Sequence, residues 1–382
     1  MLTRRATTVF AVCLLAAAVG WAGVEQRKDF PALARDVAKK QLAKFGKGYV
    51  ARIDSARHLI YIGAQDDDHL QTTMRLLAAF SDAYRRTLPG TAPPWGVTVV
   101  LPTAEDYKRI DPPADSIGFY RHGDRTLISI DRGRVLLHEF THALHLADAA
   151  EAKQVHPIWV REGLATLFEA SEITPSGLRP RVDVRLLEVQ KAIREKTVIP
   201  LTKLLSMGDA QFMADARLCY AESRYVMLYL YEKGRLDQWY RRYKASYTKD
   251  PTGLKAVEHA LTSRIFNIEP EWTKWIGTLK LPRGELRSRQ GRLGAELKDD
   301  PRGVKVVGLV KGGAAETAGR IKVGDIITSF NGQKISNVAE MVAAIRAAGA
   351  MQTVNIDLIR HGRKLTIQQP LGAPGDTPDK GK

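Results

Sequence analysis

The 382-residue sequence predicts an α+β fold with a strand-rich first lobe, a helical second lobe and a smaller C-terminal domain. Before residue 133, segments such as "YVARIDSARHLIYIGA" and "RTLISID" alternate in the way that is typical of β-strands. From Arg134 to about Leu281 the apolar residues mostly follow helical spacing. A polar connection at residues 283–290 then leads into short strands separated by glycines. The length allows two domains with buried cores.

The first lobe begins with a helical segment, "FPALARDVAKKQLAKF", which ends at Gly46. A predicted hairpin follows over "YVARIDSARHLIYIGA". In "DDDHLQTTMRLLAAFSDAYRRT", Leu70, Met74, Leu77 and Phe80 have helical spacing after three aspartates that favour a helix start. The strand "WGVTVVLPT" comes next, and "RTLISID" is expected to be an edge strand that pairs with an extended substrate.

The first 22 residues have the pattern of a secretory signal peptide. Arg4 and Arg5 precede an apolar run, and Gly20 and Ala22 supply the small residues of a cleavage site after Ala22. This predicts a periplasmic or secreted protein. The alternative is an uncleaved anchor, since residues 6–22 are near the lower limit for a helix that spans a membrane. Membrane contact is expected only in that case.

Charge and cysteine content exclude some classes of function. The formal net charge is +16, but the basic residues are scattered and follow no nucleic-acid motif, so we expect a solvated basic surface and no nucleic-acid partner. Of the two cysteines, Cys13 lies in the predicted signal peptide, which excludes an internal disulfide in the mature chain. Cys219 lies in an apolar helical pattern and is predicted to be buried.

The segment "RVLLHEFTHALHLAD" contains the pattern H-E-x-x-H. His138 and His142 are four residues apart, so on a helix they lie on one face and are able to hold one metal ion between them. Glu139 lies beside them and suits a general base. The alternative interpretation is two histidines on a helix surface with no ion between them.

Two further polar residues on this helix are not expected to be ligands. His145 lies about 4.5 Å further along the axis than His142, so it is predicted to support a ligand or to lie on the surface. Asp148 occupies the position of the third ligand of metzincins, but His145 replaces the glycine that this family requires.

A third ligand is expected from "HPIWVREGLATLFEA", which is predicted to form a second helix after Pro157. Glu162 follows the first motif after 19 residues. This spacing, with "WVREGLA" and "GFY" at residues 118–120, resembles gluzincin metallopeptidases, among them small bacterial peptidases of the MA-like type. The resemblance covers roughly residues 45–280 and implies a thermolysin-like catalytic domain with one Zn²⁺ per chain. It implies His138, His142 and Glu162 as the zinc ligands and Glu139 as the catalytic base.

The chain departs from this family at two places. The G-x-M-E-N motif that holds a free amino end is absent from the sequence, so aminopeptidase specificity does not carry over. Thr166 stands where thermolysin-like enzymes have an aspartate that supports a ligand histidine, and Glu169 is expected to take that role. Tyr220 in "YAES" resembles the tyrosine that stabilises the oxyanion, with Tyr225 as the second candidate.

From Gly291 to about Gly372 the sequence resembles a PDZ domain of the kind found in bacterial proteases. The segment "KGGAAETAGRIKVGDIITSFNGQKI" carries most of this resemblance. A PDZ groove binds an extended peptide by strand addition. The resemblance implies that Arg292, Leu293, Gly294 and Ala295 form the loop that receives a terminal carboxylate. The expected partners are protein or peptide substrates and peptide C-termini.

The predicted organisation is a signal peptide at 1–22, a zinc metallopeptidase domain at 23–284, a PDZ domain at 285–372 and a disordered tail at 373–382. The predicted function is an exported zinc-dependent peptidase, an endopeptidase, with Glu139 as general base. The alternative is a catalytically inert scaffold whose PDZ domain binds peptides.

Overall fold

A computed structural model describes residues 29–46, 48–64, 68–110, 112–113, 116–282, 291–348 and 353–372. The predicted signal peptide at 1–22 and the predicted tail at 373–382 lie outside these ranges. Within them, none of the helices combines the length and the apolar composition that crossing a membrane requires. These described residues divide into two compact units, one within residues 29–102 and 118–281 and one within residues 103–117 and 282–372.

The helices described before residue 282 are α1 (Phe30–Phe45), α2 (Asp68–Thr87), α3 (Ala104–Arg109), α4 (Arg134–Glu151), α5 (Ile158–Phe168), α6 (Leu186–Glu195), α7 (Leu201–Ser206), α8 (Asp209–Ala214), α9 (Ala216–Glu232), α10 (Leu236–Ser246), α11 (Leu254–Leu261) and α12 (Ile265–Thr278). The strands of the same part are β1 (Tyr49–Asp54), β2 (Leu59–Ala64), β3 (Val97–Leu101), β4 (Gly118–Arg121), β5 (Thr126–Ser129), β6 (Ser171–Thr174) and β7 (Gly177–Pro180).

Five strands form a mixed sheet in the order β1-β2-β3-β5-β4. The inner strands β2, β3 and β5 are parallel to one another, whereas β1 and β4 pair antiparallel at the two edges. The prediction that "RTLISID" forms an edge strand is therefore wrong. Its residues form β5, which is paired on both sides, and residues 118–121 form the edge instead. Local alternation marks a strand, but it does not reveal which strands lie beside it.

Residues 171–180 form a short hairpin of β6 and β7. Gly177 has a φ of +138°, and a Cβ on it would lie 2.4 Å from the Thr87 hydroxyl. The Leu178 amide donates to that hydroxyl over 2.7 Å. This contact with the end of α2 holds the hairpin in place, and sequence pattern does not reveal such contacts.

Helix α4 follows β5 directly and is buried along most of its length. The Asp131 carboxylate accepts from the amides of Gly133 and Val135, over 3.0 and 2.8 Å, and so satisfies donors at the start of the helix. No glycine or proline occurs between Arg134 and Glu151, and the helix continues unbroken through this range. Helix α4 packs against α5, and α5 packs against α9.

The C-terminal unit contains β8 (Ala295–Asp300), β9 (Gly303–Leu309), α13 (Ala314–Ala318), β10 (Ile326–Phe330), β11 (Gln333–Lys334), α14 (Val338–Ala348), β12 (Thr353–Arg360) and β13 (Arg363–Pro370). Its strands follow the order β13-β12-β10-β9-β8, with β11 paired to β10. Val304, Ile327, Phe330, Met341 and Ile356 are among the residues of its separate apolar core. The alternating strands and the amphipathic α14 produce this core because each has one apolar face.

Candidate functional site

Helices α4 and α5 bring the three predicted metal ligands together. The Nε2 atoms of His138 and His142 are 3.2 Å apart. The Oε2 atom of Glu162 lies 3.4 Å from each of these nitrogens. All three side chains are buried. Among the described residues, they are the one group of histidine, cysteine or acidic side chains whose ligand atoms lie close enough together to hold a metal ion.

The triangle of ligand atoms fits a zinc ion. Atoms bound to one tetrahedral zinc at about 2.0–2.1 Å are about 3.3–3.4 Å apart, which matches the observed separations. The Oε2 atom of Glu162 is buried without a hydrogen-bond partner in the described structure, as expected of an oxygen whose partner is a cation. The donor set of two imidazoles and one carboxylate also suits zinc.

Charges within the site oppose the effect of burial. Burial alone would raise the pKa of Glu162, but the neighbouring His142 and His138 hold it well below its usual range. Burial would lower the pKa of His138, but its contacts with Glu162 and Glu169 raise it to about 10. The carboxylates around this triangle therefore favour positive charge at its centre.

Glu139 lies beside the triangle on α4 and is also buried. It accepts a hydrogen bond from the backbone of Tyr120 in the edge strand β4, whereas its Oε2 atom has no hydrogen-bond partner in the described structure. Burial raises the pKa of this carboxyl group. A free carboxylate oxygen here is positioned to exchange a proton with a bound group.

The edge strand approaches α4 closely at Gly118. A Cβ on this glycine would lie 2.7 Å from the Ser129 hydroxyl and 2.8 Å from a methyl carbon of Val135. Only glycine allows β4 to pack this closely against the helix. The close packing of β4 against α4 therefore explains the glycine of the motif "GFY".

Glu169, just beyond α5, contacts His138, the residue that the sequence predicts it to support. Its Oε2 atom lies 2.8 Å from Nδ1 of His138. Its Oε1 atom accepts from the guanidinium of Arg185. Thr166 does not contact a ligand histidine through its hydroxyl, which donates to the Glu162 carbonyl within α5 over 2.6 Å.

The two candidate tyrosines lie in different surroundings. The Tyr220 ring is buried with its centroid 6.4 Å from that of His138, next to Phe212. The Tyr225 hydroxyl donates to the Asp183 carbonyl over 3.1 Å. That bond engages the Tyr225 hydroxyl within the packing of α9 against the segment before α6.

His145 and Asp148 are both buried, so the surface alternative for His145 is wrong. Nε2 of His145 lies 2.8 Å from Nδ1 of His156. Asp148 accepts from the Tyr240 hydroxyl, from Nζ of Lys244 and from the Ala92 amide, all within 2.7–3.0 Å. These residues join α4 to α10.

Helix α5 approaches α9 closely at Gly163, which follows Glu162 directly. A Cβ on this glycine would lie 3.0 Å from the Met227 side chain and 3.2 Å from the Ser223 carbonyl. The absence of a side chain at Gly163 thus sets how near α5 lies to α9, the helix that carries Tyr220.

The sequence patterns missed Asp183 and Arg185, which lie between β7 and α6. Asp183 is buried and Arg185 is nearly so. Arg185 contacts Glu169, the carboxylate next to His138, and Asp183 contacts Arg185. No spacing signal links them to H-E-x-x-H, because they reach the site through tertiary packing. A charged "RVDVR" after a hairpin reads as an exposed loop.

In the C-terminal unit, the predicted carboxylate loop is closely packed. Arg292 pairs with Gly372, and the Leu293 carbonyl accepts from the Ala315 amide over 2.8 Å. Gly294 has a φ of +71°, and a Cβ on it would lie 2.8 Å from the Ala314 nitrogen. The loop therefore requires glycine at this position.

Comparison with known proteins identifies the C-terminal unit. Residues 291–371 match the PDZ domain family. The chain is 38% identical over 96 residues to a probable periplasmic serine protease (do/HhoA-like) from Haemophilus influenzae and 33% identical over 97 residues to the periplasmic serine endoprotease DegP from Salmonella typhimurium. Each match covers 24% of this chain and 20% of the relative. The chain thus spans about a fifth of the length of these curated relatives.

Two solved structures have only a low structural similarity to this chain. The HtrA-type protease AlgW with a decapeptide has a TM-score of 0.21 at 24% identity, over 22% of this chain and 30% of that chain. An aminopeptidase N family protein from Idiomarina loihiensis covers 86% of this chain and 67% of its own, with a TM-score of 0.34 at 13% identity. Neither likeness is close enough to carry an argument.

These matches confirm the C-terminal PDZ domain and the mixed α+β class, and they correct the predicted function. The curated relatives are serine proteases, not zinc-dependent peptidases. They therefore contradict the prediction of an exported zinc-dependent peptidase, with its metalloprotease and gluzincin character. The matches support a PDZ domain in this chain and give no support to a gluzincin catalytic domain.

Proposed function

We propose that this chain is an enzyme that acts on peptide bonds and that its PDZ domain binds a protein or peptide substrate. The observation that carries the proposal is the PDZ domain at residues 291–371, together with relatives that are periplasmic proteases. Because the chain spans about a fifth of those relatives, its activity is proposed rather than inherited from them.

We propose that the PDZ domain captures peptide C-termini. The loop Arg292–Ala295 leads into β8, which begins at Ala295. The amide of Val338 at the start of α14 donates to the Asp299 carboxylate of that strand over 2.6 Å. This contact supports a groove between β8 and α14. A peptide added beside β8 would place its terminal carboxylate at the loop around Gly294.

We also propose that His138, His142 and Glu162 hold one Zn²⁺ ion per chain. The proposal rests on the 3.2–3.4 Å triangle of ligand atoms and on the buried, unpartnered Oε2 atom of Glu162. When bound by three protein ligands, zinc lowers the pKa of water and polarises oxygen atoms. This proposal concerns the metal site alone. The response of casein cleavage to a chelator and to a fluorophosphonate tests the class of protease separately.

Two residues of this chain are proposed to act beside the metal site. Glu139 would exchange a proton with a group bound there through its unpartnered Oε2 atom. Tyr220 would donate a hydrogen bond to a negatively charged oxygen of that group. The thermolysin-like form of the first domain and the bounds 23–284 and 285–372 also remain proposals.

The periplasm is the proposed compartment. Both curated relatives are periplasmic proteins, and the predicted signal peptide at 1–22 agrees with export. Secretion or an uncleaved N-terminal anchor are the alternatives, and fractionation of cells that express the full chain separates the three.

One set of measurements tests both the activity and the metal. Purified full chain is incubated with unfolded casein, with and without a chelator and with and without a fluorophosphonate that labels reactive serines. Zinc is measured by mass spectrometry on the wild type and on His142→Ala, with Arg57→Met as the control, because Arg57 pairs with Asp82 and Asp54 instead of the ligands. We expect casein cleavage by the wild type and one zinc per chain in all but His142→Ala.

Each outcome bears on one proposal. No casein cleavage would overturn the peptide-bond proposal, and no zinc in the wild type would overturn the metal proposal. Cleavage that the fluorophosphonate stops and the chelator spares identifies a serine-type protease, as in the curated relatives. The reverse pattern identifies metal-dependent cleavage.

A further inference from the structure

A chain of buried charges extends from His138 away from the metal triangle. Glu169 contacts both His138 and Arg185. Arg185 also contacts Asp183, with its Nη1 atom 3.2 Å from Oδ2. Asp183 is fully buried and also forms an ion pair with Arg224. The Nε atom of Arg224 lies 3.0 Å from Oδ1 of Asp183. Positive and negative groups thus alternate from the ligand to α9.

This arrangement fixes the tautomer of His138. Oε2 of Glu169 lies 2.8 Å from Nδ1 of His138, so when Nε2 holds an ion the remaining imidazole proton lies on Nδ1 and is donated to Glu169. The lone pair is then on Nε2, the atom that faces Glu162 and His142. Ligand histidines in metal sites commonly have such a carboxylate behind them.

A single carboxylate behind His138 would not suffice. Glu169 is buried, and an ionised carboxylate in such a place is costly unless it is paired and hydrogen-bonded. Arg185 supplies that pairing, and Asp183 in turn holds Arg185. The side chain of Arg185 is only 13% exposed, so the charge of Glu169 is not replaced easily by solvent.

We propose that Arg185, held by Asp183, is a positioning residue for metal binding. It holds the Glu169 carboxylate in place, and through Glu169 it presents Nε2 of His138 to the ion. This inference rests on the proposed metal site at His138, His142 and Glu162. It assigns a role to a residue that lies 43 positions beyond His142 and outside any recognisable metal motif.

A double-mutant cycle tests the proposal. Zinc affinity is measured by competition with a chromophoric chelator for the full-length wild type, Arg185→Met, Glu169→Gln and the double variant. Loss of support behind a ligand histidine typically weakens metal binding about 10- to 100-fold. We expect a weakening in that range for Glu169→Gln and for Arg185→Met.

The decisive measurement is Arg185→Met in the Glu169→Gln background. The glutamine amide is neutral and needs no guanidinium, so Arg185→Met should leave the zinc affinity of Glu169→Gln unchanged. An equal weakening in both backgrounds would overturn the proposal, because it would show a general disturbance instead of an effect through Glu169. Equal affinity of Arg185→Met and the wild type would also overturn it.

Controls separate this inference from the proposed metal site. Arg57→Met removes another arginine that pairs with two carboxylates and should bind zinc like the wild type. A wild type that binds no zinc would refute the metal site itself. If Arg185→Met does not fold, as judged by circular dichroism, Arg185→Lys is measured in both backgrounds. It should show a smaller weakening that is confined to the Glu169 background, and a weakening in both would overturn the proposal.

Discussion

The two halves of α4 carry similar residues in opposite situations. In the first half, Glu139 and the ligand histidines meet Glu162, and two carboxylate oxygens have no hydrogen-bond partner in the described structure. In the second half, Asp148 is fully engaged by neighbouring donors. Nε2 of His145 is hydrogen-bonded to Nδ1 of His156, and of the two ring nitrogens of His145 its Nδ1 has no partner within the described residues.

The difference separates a site from a structural contact better than residue type does. Both halves are buried and both contain histidine and acid. Buried polar groups in proteins are almost always hydrogen-bonded, so acceptors that lack partners mark a place where another group binds. Two such carboxylate oxygens occur at the first half, Oε2 of Glu139 on α4 itself and Oε2 of Glu162 on the adjacent α5. In the second half, the donors of α10 and its neighbours satisfy the acid.

The largest effect is expected from Asp148→Asn, in the second half. This change leaves Lys244 without its charged partner in a largely buried position, and breaking a buried ion pair costs about 3–5 kcal/mol. The free energy of unfolding in urea measures this cost. Zinc content should remain that of the wild type, since the ligands are untouched.

Asp124→Asn is the matched control for this prediction. Its ion pair with Arg121 is nearly half exposed on both sides, and such pairs contribute about 1 kcal/mol or less. Equal losses of stability for Asp148→Asn and Asp124→Asn would show that the buried ion pair in the second half of α4 stabilises the fold no more than an exposed one.

The next effect concerns zinc and the first half. An ion that binds the folded chain stabilises it by about 2.7 kcal/mol at a concentration 100 times its dissociation constant. We expect this gain in thermal or urea unfolding for the wild type and for His145→Gln, and none for His142→Ala. Loss of the gain in His145→Gln would mean that the two halves of α4 are not independent.

The smallest effect is a dependence of stability on pH in the second half. Burial lowers the pKa of His156 from the ordinary value of 6.5 to about 4. Between these values the unfolded chain binds more protons than the folded one, so stability falls as the pH falls through this window. For this group alone we expect a loss of about 1 kcal/mol between pH 7 and pH 5.5.

His156→Gln tests this dependence by comparison with the wild type in urea unfolding at both pH values. The variant should lose about 1 kcal/mol less on acidification, because it has no imidazole to protonate. An identical pH dependence in the two proteins would show that the folded chain protonates His156 as readily as the unfolded chain does.

Helical periodicity was sufficient to predict that His138 and His142 share a face, and the interval to Glu162 predicted the residue that meets them. That these residues bind zinc stays a prediction. The edge position of β4 was not predictable, because strand order depends on pairing between distant segments. Asp183 and Arg185 were missed for the same reason: their environment is created by α9 and β7.

The surface alternative for His145 failed for a related cause. Helix geometry correctly placed it beyond reach of the ligand triangle, but burial depends on what covers the helix, and here His156 and Tyr240 do so. The function inferred from the ligand pattern was contradicted by relatives that share 96 or 97 aligned residues with this chain. Local motifs thus predicted the arrangement of side chains better than the protease class.

The close packing at Gly163 has a mechanical consequence. Glu162 and Gly163 are neighbours in α5, so the helix axis cannot move away from α9 without carrying the carboxylate with it. An added methyl group would meet the Ser223 carbonyl at 3.2 Å, and backbone gives way less readily than a side-chain tip. The spacing between α5 and α9 therefore contributes to the position of Glu162 relative to the imidazoles of α4, and the single hydrogen atom of Gly163 permits that spacing.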